Sequence, residues 1–84
     1  RSNTFLVDHK DAVNGSLSND FEVLGHEVLE DEMHKSIIQI KNGKLSPNDL
    51  LQNLISTTEV HSFIEKVPSI NEIFISKVEG GNNG

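Results

Sequence analysis

Four histidines, His9, His26, His34 and His61, are the side chains of this sequence best suited to chemistry. An imidazole can hold a transition metal or exchange a proton near neutral pH. No two of them stand four residues apart, so no helix face could offer a pair to one metal. His26 and His34 would meet only if the segments carrying them paired as a hairpin. Two such ligands supply half of a tetrahedral site. The reading is therefore of solvated surface histidines and no metal.

The other reactive groupings have ordinary explanations. Glu30-Asp31-Glu32 collects three carboxylates. A Ca²⁺ loop spreads its ligands over about 12 residues around a central glycine. That pattern is absent, and a charged turn is expected instead. Ser16 and Ser36 both lie outside a G-x-S-x-G elbow, so neither is a candidate nucleophile. Asn42-Gly43-Lys44 is similar to the end of a phosphate loop. However, Ile38 stands where the first glycine belongs, and Leu45 stands where Ser or Thr would bind Mg²⁺. Asn14-Gly15-Ser16 matches the N-glycosylation triplet, but without a secretory signal it reads as a turn.

Composition narrows the classes further. The chain has 84 residues and a formal charge of −6. This length suits one small domain with a thin core. An acidic balance disfavours a phosphate-binding surface, because nucleic-acid binders cluster Lys and Arg. With no cysteine, disulfides and thiolate metal sites are excluded. No apolar run approaches the roughly 20 residues that span a bilayer. The first residue is Arg1 rather than Met, and the expectation is a piece of something longer. There is no internal repeat, and Gly80-Gly81-Asn82-Asn83-Gly84 reads as a frayed tail.

The elements that would position these residues can be traced in order. Thr4-Phe5-Leu6-Val7 is β-branched and aromatic, as a strand requires. Asp8 or Asp11 could cap a short helix through Ala12 and Val13, ended by Asn14-Gly15. Phe21 to Leu29 predicts a second strand. Its apolar residues change phase near Gly25, which implies a bulge. A third strand follows from His34 to Ile40, and the short link between the two predicts a hairpin. Ser46 then caps a helix from Pro47 to about Ser56, with Pro47 first and Asp49 third. Leu45 and Leu50 are placed to form a hydrophobic staple.

Glu59 to Val67 fits two descriptions. Val60, Phe63, Ile64 and Val67 keep helical spacing, while Thr57, Thr58 and Pro68 also allow a strand. In a strand, Phe63 and Ile64 would face opposite sides. The expectation is that both are buried by a terminal helix. Ser69-Ile70-Asn71-Glu72 is a capping box for that helix, and Ile70, Ile73, Phe74 and Val78 share one face.

Val67-Pro68-Ser69-Ile70-Asn71-Glu72-Ile73-Phe74-Ile75 resembles the closing segment of ATP-binding subunits of bacterial ABC transporters. Such subunits end with a strand, Pro-Ser, an aliphatic residue, an acidic residue and Ile-Phe. The resemblance implies an α+β fold, with a small antiparallel sheet of about four strands. It implies a ferredoxin-like arrangement with two to three helices packed on the sheet. Residues 1–79 would form a single domain, residues 80–84 a flexible tail, and Glu59 to Val67 a strand.

The same resemblance implies an accessory domain with no chemistry of its own. The phosphate loop, signature sequence and acidic catalytic residues of the family have no counterpart here. ATP and Mg²⁺ would belong to the full-length subunit, and no cofactor to this piece. The implied partners are its own nucleotide-binding core, a second ATP-binding subunit and, indirectly, a membrane permease subunit. Neither nucleic acid nor direct membrane insertion is implied. The implied location is bacterial and cytoplasmic, at the inner face of the cell membrane. Pro68, Ser69, Ile70, Glu72, Ile73 and Phe74 would be structural or interface residues, with none catalytic, cofactor-binding or metal-binding. The alternative function is a small-molecule sensor, an inference from fold alone. A concave apolar pocket with convergent polar groups would favour it.

Overall fold

The computed structural model describes residues 3–13 and 15–66. They form strands β1 (Thr4–His9), β2 (Phe21–Val28), β3 (His34–Ile40) and β4 (Val60–Glu65), and helix α1 (Pro47–Ile55). The sheet order is β2-β3-β1-β4, and every neighbouring pair is antiparallel. The α+β class and the four-stranded antiparallel sheet agree with expectation. The segment from Glu59 is a strand, against its helical periodicity. The helix expected from Ser69, and with it Pro68 to Phe74, falls outside the described residues.

β1 is central, and its side chains alternate in burial along the whole strand. Phe5, Val7 and His9 point to one face, opposite Ile38, Ser36 and His34 of β3. The core on that face comprises Phe5, Val7, Val13, Phe21, Ile38, Ile40, Leu50 and Leu54. Burial of each large side chain contributes about 1.5–3 kcal/mol. Phe63 packs against this cluster, and its ring stacks on Phe5 with centroids 5.0 Å apart. Ile64 faces the other way and is 57% exposed. The terminal helix expected to bury both falls outside the described residues.

The bulge near Gly25 is present. Val23 pairs with Ile38 and Gly25 with Ile37, so Leu24 is the extra residue. The insertion reverses the facing of every later side chain in β2. Phe21 and Val23 lie on the core face before the bulge, and His26 lies on it afterwards, opposite Ser36. Gly25 suits this position because a Cβ would stand only 3.3 Å from Ile37 Cδ1.

Two expectations about helices fail. No helix runs through Ala12 and Val13. Asp8 belongs to β1, and Val13 is an irregular plug that is 1% exposed. Residues 10–20 are rich in turn formers, whose side chains satisfy nearby backbone instead of starting a helix. Ser16 Oγ donates to the Val13 carbonyl at 2.7 Å, and Ser18 Oγ accepts from the Asp20 N–H at 3.0 Å. Consequently one α-helix, not two or three, accompanies the sheet among the described residues. The ferredoxin-like arrangement is corrected for the same reason: the β1–β2 connection carries no helix.

Helix α1 begins where the sequence indicates. Ser46 is the N-cap, Pro47 follows, and a complete capping box joins Ser46 and Asp49. Asp49 Oδ2 accepts from the Ser46 N–H at 2.7 Å, while Ser46 Oγ accepts from the Asp49 N–H at 3.4 Å. Leu50 and Leu54 are fully buried, and Leu45 packs against the same cluster. Replacing Ser46 with Ala should cost about 0.5–2 kcal/mol. Asp49→Ala should cost at least as much, since it removes the shorter bond and a favourable charge at the helix start. Urea unfolding midpoints of the two variants measure this. An unchanged midpoint for Asp49→Ala would contradict the capping assignment.

Candidate functional site

The apolar core ends in a polar cluster. His9 and Ser36 are both 0% exposed, and they are the buried polar residues among those described. His9 closes β1, and Ser36 sits mid-strand in β3. The β1–β3 register sets Val7 opposite Ser36 and His9 opposite His34. His9 Nε2 lies 2.7 Å from Ser36 Oγ, and His9 Nδ1 lies 2.8 Å from the Asp11 carbonyl oxygen. A carbonyl only accepts, so Nδ1 carries the proton. In the neutral ring Nε2 then accepts from the Ser36 hydroxyl, and the two contacts hold a single tautomer.

Serine, histidine and an orienting oxygen in line are the parts of a nucleophile–base pair. Here the arrangement cannot serve that purpose, because Ser36 is fully buried and no substrate carbonyl could reach it. The bond leaves each of these buried polar side chains with a partner inside the core. Burial pushes His9 below its ordinary value of 6.5. The Asp11 carbonyl opposes this, His34 and His26 reinforce it, and Asp8 opposes it weakly.

The hairpin brings His26 and His34 together, as the sequence allowed. His26 Nε2 and His34 Nδ1 are 2.8 Å apart. His34 also stacks on His9, with centroids 5.5 Å apart. The expectation of solvated surface histidines is therefore corrected for His9. Its burial follows from the alternation of β1, which carries the apolar face of Phe5 and Val7 onward to residue 9. His61 stands apart, 3.1 Å from the exposed Glu59 carboxylate. Among the described residues, no group of three or more His, Asp or Glu side chains is placed to hold a metal.

The remaining candidates are turns. Glu30–Glu32 is a single 3₁₀ turn with Asp31 and Glu32 at φ 60° and 62°. Its side chains are exposed, and Lys10 Nζ donates to the Asp31 carbonyl at 3.3 Å. Asn42 Oδ1 accepts from the Lys44 N–H at 3.0 Å, and Asn42 Nδ2 donates to Asp20 Oδ1 at 3.2 Å. Asn42 thus braces a loop, with no cradle of amides around an anion. Gly15 takes φ 81°, beside Ser16, whose N–H donates to the Val13 carbonyl at 3.0 Å. The depression lined by Asn48, Leu51, Gln52 and Ile55 lies open on helix α1. A larger depression lies beside the start of α1, between Asn3, Phe5, Leu45, Pro47 and Glu65.

The described residues form a four-stranded sheet with one helix, and their buried polar groups bond within the core. Residues 1–78 match the family described as the C-terminal domain of DrrA1-3-like ATP-binding proteins, and the chain belongs to that family. It is a C-terminal accessory domain of an ABC ATP-binding protein. No curated protein and no solved structure matches the chain.

The buried pair gives a direct prediction. Ser36→Ala strands the His9 Nε2 lone pair without a donor. It should cost about 1–3 kcal/mol, the penalty for an unsatisfied buried polar group. Denaturant unfolding of Ser36→Ala and of His26→Ala, at an exposed position, measures the difference. Equal stability of the two variants would contradict the structural role of the pair.

Proposed function

We propose that this domain is a non-catalytic interaction module of a transport ATPase subunit. It packs against its own nucleotide-binding core, or against the second ATP-binding subunit, and tunes assembly or turnover. The family match over residues 1–78 carries this reading. The absence of a phosphate-binding pattern from the sequence supports it. So does the geometry of the described polar residues, which bond to one another and to backbone.

The wider assignments follow from the same proposal. Binding and hydrolysis of ATP with Mg²⁺ belong to the rest of the subunit. The permease is met indirectly, and the setting is the cytoplasmic side of a bacterial membrane. Among the described residues no helix is long and apolar enough to cross a membrane. Pro68, Ser69, Ile70, Glu72, Ile73 and Phe74 contribute packing or docking, with no ligand contact.

Calorimetric titration of this chain with Mg-ATP tests the division of labour. The expected result is no heat of binding. In an ATP-binding subunit lacking the domain, nucleotide binding should survive while dimer assembly or turnover changes. A micromolar ATP site on this chain would overturn the proposal. So would a domain-free subunit that has lost nucleotide binding.

A further inference from the structure

The core lies on one face of the sheet, and the other face carries apolar side chains of its own. Leu6 pairs with Ile37 of β3 on one side and with Ile64 of β4 on the other. The three side chains form a row across β3, β1 and β4, on the face away from Phe5, Val7 and Ile38. Among the described residues, none of the three belongs to the core cluster or packs against it, and Ile64 is 57% exposed. Beyond Ile37 the row meets Gly25 of β2, which adds no side chain. Polar groups flank it, with the Lys35–Asp8 ion pair on one side and Thr4 and Gln39 on the other. An antiparallel sheet face left to water is normally polar. Three aliphatic side chains in register therefore need a cover. The one α-helix among the described residues, α1, packs on the core face through Leu50 and Leu54 and does not supply it.

We propose that residues 69–78 of this chain form a helix docked on the Leu6–Ile37–Ile64 row, making the sheet the middle of three layers. Outside the described residues the chain has Arg1, Ser2, Asn14 and residues 67–84, and every apolar side chain among these lies between Val67 and Val78. No other segment of the chain has the side chains to cover the row. Ser69 to Glu72 is a capping box, and Ile70, Ile73, Phe74 and Val78 share one helical face. Ten helical residues extend about 15 Å. Ile37 to Ile64 spans two strand spacings, about 10 Å, so one stripe reaches all three side chains.

The connection brings the two together. Lys66 N–H donates to the Thr4 carbonyl at 2.7 Å, so the pairing of β4 continues to the start of β1. Pro68 has no N–H with which to extend that ladder. The chain leaves the sheet at its edge strand, a few residues after Ile64. On the core face Phe63 already packs into the cluster beneath α1, which leaves the face of Ile64. Phe74 stands in the middle of the stripe, one turn from Ile70 and one from Val78, and is the side chain set over Leu6 and Ile64.

A double-variant cycle on the 84-residue chain tests the docking. Unfolding constants in urea are measured for the native chain, Ile64→Ala, Phe74→Ala and the double variant. Effects of side chains out of contact multiply within about twofold. For this pair the double variant should fall short of the product of the single effects by about five- to tenfold. Agreement with the product within twofold would overturn the proposal. The same cycle with Ile55→Ala, at an exposed position of α1, should show no such shortfall. A shortfall with Ile55 and none with Ile64 would place the segment on α1 and overturn the proposal. Where Phe74→Ala fails to fold, NMR of the native chain decides. Nuclear Overhauser contacts are expected between the Phe74 ring and the methyl groups of Leu6 and Ile64, within one molecule. Their absence would overturn the proposal. So would contacts seen only between molecules in a mixed-label sample, which would make this face an interface between copies.

Discussion

The structure depends on β1 being paired along both edges. Val7 stands between Ser36 of β3 and Phe63 of β4, and it is completely buried. Its partners come from the middle and the end of the described chain, so β1 cannot be stable until both have arrived. The loop-closure entropy of these pairings opposes folding. One apolar face, shared by four strands and sealed by Leu50 and Leu54, provides the compensating burial. Helix α1 is thus the lid of a core whose floor is set by β1.

A second consequence follows from the alternation of that strand. The face that buries Phe5 and Val7 also buries position 9, and this chain places a histidine there. A buried imidazole without partners would cost several kcal/mol. Ser36 and the Asp11 carbonyl remove that penalty, and the bulge at Leu24 turns His26 toward the same cluster. The polar end of the core is therefore built by one strand register and one inserted residue.

Much of this was legible in the sequence where the signal was local. The Ser46-Pro47-Asp49 cap and the phase change near Gly25 each sit within a few residues of their cause, and both appear as read. The His26–His34 contact also followed from a short hairpin link. The His9–Ser36 bond was not legible, because its partners are 27 positions apart and meet only through the β1–β3 register. The β4 segment misled by periodicity, since Val60, Phe63 and Ile64 keep helical spacing. Val60–Glu65 nevertheless extends, because it pairs with the edge of β1, whose backbone groups would otherwise lack these partners. The bulge between Asp8 and His9 lets Val60 join Phe63 beside the core despite that spacing. The helix expected at Ala12 and Val13 failed because capping residues alone, without an apolar stripe, do not sustain a helix.

Native-state hydrogen exchange measures most directly whether β1 is the element on which the rest depends. Amides of Phe5 to Asp8 should exchange only through global unfolding, with free energies equal to the stability found in denaturant. Edge strands β2 and β4 should open at lower free energy. If β1 amides instead exchange well below the global value while the β2–β3 hairpin stays protected, the central role of β1 is contradicted.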